Sequence, residues 1–148
     1  AVVAGAWAIA LLFLPLAFAE AAVTPTAAVV FVYFFLDTFV NTEIPNVADM
    51  AGDSAIGVST MPVVFGVRRT RRILYALDVF LIIFLVLAFR GGLLPMALTL
   101  AIGAGLAYAL ALAALVGRTA DHGRLAVAGE AKHLLVFTVL ILLWTVGL

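Results

Sequence analysis

Apolar runs of roughly twenty residues succeed one another along this chain, and about twenty is the number an α-helix needs to cross the hydrocarbon core of a bilayer. Membrane spans are expected near residues 1–19, 25–41, 73–89, 93–116 and 133–148. The expected fold is therefore all-α, a polytopic transmembrane helical bundle of about five spans forming a single membrane domain. Only 11% of the 148 residues are charged and 67% are hydrophobic, whereas an ordinary soluble domain is about a quarter charged. The bilayer is the expected surrounding, and nucleic acid is not a plausible partner. With no Cys, disulfides, thiolate metal sites and thiol catalysis are excluded.

Punctuation between the runs sets the topology. Glu20 marks an interface, and Thr24-Pro25 supplies an N-cap and first helical residue for the second span. Arg90-Gly91-Gly92 reads as a tight turn that returns the next span antiparallel. Within that span, Gly103, Ala107 and Ala111 recur every four residues and offer a small-residue face for close packing. Two polar segments, 42–72 with short helical pieces and 117–132, are expected as loops on one side. That arrangement places seven of the eight Lys and Arg residues together and leaves Arg90 opposite, so the shared face is expected to be cytoplasmic. Ala1 leads straight into apolar residues without a basic leader, and the chain is expected to belong to something longer.

The chemistry concentrates in the first polar segment. Asn46, Asp49 and Asp53 fall on one face of a helical turn, and such a set of oxygen donors suits a hard divalent cation. Magnesium keeps several waters and is commonly held by one or two carboxylates, with substrate phosphate completing its shell. Asn46 is open to a second role, as a helix N-cap.

The pattern Asn46-x-x-Asp49-x-x-x-Asp53, followed by Gly57, Thr60-Met61-Pro62-Val63 and Gly66, resembles the second aspartate-rich motif of the UbiA-type intramembrane prenyltransferases. Two positions depart from the common pattern: Ser54 stands where a basic residue is usual, and Asn46 where Asp is frequent. The resemblance implies the C-terminal part of a nine-helix prenyltransferase fold and transfer of a prenyl group from a prenyl diphosphate to a lipophilic acceptor. It implies Mg²⁺ as cofactor, Asp49 and Asp53 as its catalytic ligands with Asn46 beside them, and an integral location in the cell membrane. The family's other acidic motif is not among these residues, so the N-terminal half of the same protein is the expected partner and the isolated chain is expected to be inactive.

Other candidates carry two readings each. Asp37 and Asn41 share a helix face and serve either a hydrogen bond to a neighbouring helix or a substrate site. An ionisable residue inside a span must face protein or water, so Asp37 is expected to point into the bundle on the side of the motif. Asp78 either pairs with a cation of the cluster Arg68, Arg69, Arg71 and Arg72 or lines the cavity mouth with Tyr75, itself otherwise an interface aromatic. Those arginines anchor the membrane edge, and Arg68 is the candidate for gripping a diphosphate. Glu130, Lys132 and His133 could approach the motif, but the sequence does not place them. The alternative function is a non-catalytic helical membrane module, such as a half-transporter or assembly subunit. A CDP-alcohol phosphotransferase is excluded because its Asp-Gly and Ala-Arg pairs are missing.

Overall fold

The computed structural model describes residues 2–119 and 121–148, and these form helices without any strand. In chain order they are α1 (Val2–Phe18), α2 (Pro25–Ala55), α3 (Met61–Phe65), α4 (Val67–Arg90), α5 (Met96–Leu115) and α6 (His122–Thr145). Four of them, α2, α4, α5 and α6, are long and apolar enough to cross a membrane. The 17 residues of α1 are apolar throughout and complete a polytopic bundle of about five spans.

Two of the expected loops are largely helix. Segment 42–72 shrinks to residues 56–60 and Gly66, because α2 runs on for 31 residues through Pro45 and α4 already begins at Val67. Proline is tolerated inside a membrane helix, where neighbouring groups satisfy the freed carbonyl, and continuing the helix keeps every other backbone group paired. Segment 117–132 similarly shortens to 116–121, since α6 starts at His122 with Asp121 as its N-cap, accepting from the Arg124 N–H at 2.9 Å. At the start of α2, the Thr24 hydroxyl accepts from the Ala27 N–H at 3.1 Å, as the Thr-Pro pair implies.

The helices α2, α4, α5 and α6 close a ring in which each packs against its two neighbours, while α1 lies outside against α2. Phe13 of α1 meets Phe31 of α2 with ring centroids 5.1 Å apart. Inside the ring are two apolar layers. One contains Val29, Tyr33, Leu81, Leu85, Ile102 and Leu106; the other contains Val40, Ile44, Val47, Leu74, Leu112 and Val116. Asp37 falls between Tyr33 and Val40 on α2, and Asp78 between Leu74 and Leu81 on α4, so a charged layer is sandwiched between them.

The small-residue face of α5 is not the one expected from Gly103, Ala107 and Ala111. Ala107 and Ala111 are exposed, whereas Ala97, Ala101, Gly105, Ala109 and Ala113 are buried. That alternative stripe has the same four-residue spacing and faces the ring. A Cβ on Gly105 would lie 2.4 Å from Val136 Cγ2 of α6, while one on Gly103 would meet Leu85 Cδ2 at an ordinary 3.8 Å. Gly105→Ala is accordingly expected to force α5 and α6 apart and destabilise by about 1–3 kcal/mol. Gly103→Ala is expected to be neutral, and unfolding of the two variants in mixed micelles compares them directly.

Candidate functional site

Asn46, Asp49 and Asp53 lie on the last turns of α2, within about 60° of one another around its axis at roughly 100° per residue. Val40, Ile44 and Val47, which α2 buries in the ring, are centred about 150° away on the same wheel. The three oxygen-bearing residues therefore share a face turned away from the ring core. Asp49 is exposed, and Asp53 and Asn46 are half-buried.

Local geometry fixes this face. The helix ends in a glycine cap: Gly57 has φ +74°, the Val58 N–H donates to the Asp53 carbonyl at 2.8 Å, and the Gly57 N–H donates to the Ser54 carbonyl at 3.3 Å. Glycine takes this left-handed position without the Cβ clash that other residues meet. The chain then folds back so that the Thr60 hydroxyl donates to Asp53 Oδ2 at 3.3 Å. Both the backbone and the carboxylate of Asp53 are thus held by the Gly57–Thr60 tail. Asn46 is not an N-cap, because it sits deep inside α2. Its Nδ2 donates to Glu43 Oε2 at 3.1 Å, which leaves the amide oxygen available as an acceptor.

This donor set fits a magnesium ion. Two carboxylates and an amide oxygen are hard ligands on one face, and among the described residues no three His, Cys, Asp or Glu side chains gather into a ready cage. A site of that kind relies on water and a substrate oxyanion for the rest of the shell. Stability does not account for Asp53. It lies two residues before the end of α2, at the negative pole of the helix macrodipole, where a carboxylate is unfavourable by about 0.3–1 kcal/mol.

Beside this face, α2, α4 and the turn after α5 border an open cavity of about 590 Å³ lined by Val47, Met50, Val67, Arg68, Arg71 and Gly117. Arg68, Arg69, Arg71 and Arg72 occupy the first turns of α4 rather than a loop. Arg68 is exposed, and Arg71 is half-buried with Nη1 donating to the Val116 carbonyl at 3.3 Å.

The remaining candidates go elsewhere. Asp37 does enter the bundle, but on the opposite side of α2 from the motif, about 150° around the helix. There Lys132 Nζ of α6 approaches Asp37 Oδ1 at 2.8 Å and His133 Nε2 approaches Oδ2 at 3.3 Å. Asp37 and Lys132 are each about 1% exposed, and His133 stacks on Phe34 at 6.0 Å. Asn41 Nδ2 donates to Glu130 Oε1 at 3.2 Å, so the pair Asp37 and Asn41 faces α6. Asp78 is fully buried, and both its oxygens lack a hydrogen-bond partner among the described residues. Among the described residues it forms no ion pair with the arginine run. Tyr75, half-buried on α4, makes no side-chain hydrogen bond among the described residues. Lys132, His133 and Glu130 thus join Asp37 and Asn41 and stay away from the motif. No spacing in the sequence joins them, because Asp37 and Lys132 lie on helices far apart in the chain.

Against this geometry, the model of the UbiA prenyltransferase family matches residues 1–135. The chain belongs to the UbiA prenyltransferase family. Searches of curated proteins and of solved structures return no match. Family membership makes this UbiA chain a prenyltransferase-type enzyme and an integral membrane protein.

Proposed function

We propose that this UbiA-family protein transfers a prenyl group from a prenyl diphosphate to a lipophilic acceptor in a magnesium-dependent reaction at the motif end of the bundle. The observation that carries this reading is the acidic face itself. Asp49 and Asp53 are spaced one turn apart, and Asp53 is held by the Gly57–Thr60 tail at the helix end, where a carboxylate is disfavoured. Asp49, Asp53 and the Asn46 amide oxygen would hold the ion. When bound, it supplies Lewis-acid neutralisation of the charge that develops on a diphosphate leaving group. Thr60 orients Asp53, and Glu43 orients Asn46 by fixing its amide nitrogen. The apolar spans hold the isoprenoid tail and keep water from the allylic cation before the acceptor captures it.

The motif face points outward, which suits a surface that closes against the family's other acidic cluster on the N-terminal half. The orientation that supports this reading is cytoplasmic. Because Lys132 is buried between helices, the basic residues at the motif end number six rather than seven, still against Arg90 alone at the other. That bias remains strong.

Metal removal tests the proposal. Chelation by EDTA is expected to abolish prenyl transfer by the complete protein in liposomes, with Mg²⁺ restoring it. Turnover that survives thorough chelation would sink the metal assignment. A folded complete protein with no transfer to any quinone-ring, haem or glycerol-phosphate acceptor would favour a non-catalytic module instead.

A further inference from the structure

We infer that the cavity between α2, the first turn of α4 and the turn after α5 binds the phosphate group of an anionic amphiphile, whose hydrocarbon lies against Val47, Met50 and Val67. The lining combines three apolar side chains with two guanidinium groups and contains no carboxylate. Neither Arg68 nor Arg71 forms an ion pair with an acidic side chain among the described residues, where the ion pairs are Arg124 with Asp121 and the Asp37 contacts to Lys132 and His133. Two cations that converge on one cavity without an acid call for an anion from outside the bundle.

Geometry narrows the ligand. Arg71 is fixed through Nη1 to the Val116 carbonyl, which orients the rest of its planar fork, the group best matched to phosphate oxygens. The cavity opens at the positive end of the 24-residue α4, whose dipole adds to the attraction. Its wall beneath is tight: a Cβ on Gly117 would lie 2.6 Å from Val67 Cγ1, so the turn after α5 packs directly on the start of α4. A purely polar pocket would suit a free ion, whereas this one pairs charge with hydrocarbon at the end of the spans, where headgroups lie. Val47 and Met50 are roughly 100° around α2 from the centre of the acidic face, so the site adjoins that face without sharing its residues. The inference does not depend on the metal role of Asp49 and Asp53.

Two sources supply this chemistry, a bilayer phospholipid and a prenyl diphosphate. Native mass spectrometry of the purified protein, equilibrated with phosphatidylglycerol or phosphatidylcholine, reads the first. Phosphatidylglycerol is expected to be retained about tenfold better, with the preference lost in Arg68→Gln/Arg71→Gln and kept in Arg69→Gln/Arg72→Gln, which removes the same charge. Arg68→Gln alone, at an exposed position, guards against misfolding and is expected to lose part of the preference. Geranylgeranyl diphosphate added without Mg²⁺ assigns the source. Displacement of the lipid, dependent on Arg68 and Arg71, identifies the substrate as a ligand of the same site, and its failure leaves the phospholipid. Equal loss in both double variants, or no preference for either an anionic lipid or the diphosphate, would overturn the site.

Discussion

Asp49→Asn combined with Asp53→Asn is expected to lower prenyl transfer by the complete protein about a thousandfold, with the bundle still folded. Each substitution preserves shape and removes only the charge that would hold the cation. Loss of the several kcal/mol a metal contributes to a developing oxyanion corresponds, at about 1.4 kcal/mol per decade, to roughly three decades in rate. The fold has no comparable stake in these side chains. Asp49 is exposed and Asp53 half-buried, and relief of the unfavourable carboxylate at the end of α2 offsets loss of the hydrogen bond from Thr60. Stability is expected to stay within about 0.5 kcal/mol of the parent. Transfer rates and thermal unfolding, measured on the same preparation, separate the two. A double variant that retains a tenth or more of parental turnover would remove these residues from the reaction, and one that fails to fold would make them structural.

The acidic face was legible in the sequence because its logic is local. Asn46, Asp49 and Asp53 are close in the chain, and helical spacing alone aligns them. The glycine and Thr60 that hold Asp53 lie within seven residues of it, so their pattern could also be read. The polar residues after Asn41 give this stretch the composition of a loop, although α2 continues through it and past Pro45, as a membrane helix has every reason to do. The stripe on α5 was ambiguous for a different reason. Small residues occupy so much of that helix that two four-residue registers fit equally well, and only the position of Val136 on α6 selects the one through Gly105. Asp37 could be recognised as a residue needing a partner inside the bundle, but Lys132 lies 95 positions later. No local rule connects them, and assigning Lys132 to a loop hid it.

Replacing Lys132 exposes what that long-range contact does. Lys132→Met fills nearly the same volume but leaves the buried Asp37 carboxylate with only the half-buried His133 beside it. Removal of one member of a buried pair typically costs about 3–5 kcal/mol, because the remaining charge loses a fully buried partner while staying desolvated, and His133 offsets part of that cost here. A bilayer setting makes relief by water harder than in a soluble core. The companion variant Asp37→Leu/Lys132→Met removes both charges and is expected to recover most of the loss, since apolar replacements of buried ion pairs are often neutral or stabilising. Unfolding of the two variants in mixed micelles therefore reports a coupling that neither gives alone. The outcome also bears on why the pair exists. The apolar layers on both sides of it would pack without charges, but they leave the axial register of α6 against α2 weakly specified, since one turn of alanines and leucines resembles the next. An ion pair in the middle admits one register, and this fixes which face of α2 is buried and so which face, bearing Asp49 and Asp53, is left outward. If Lys132→Met proves as stable as the parent, the charged layer is not what sets that register, and the apolar layers must do so unaided.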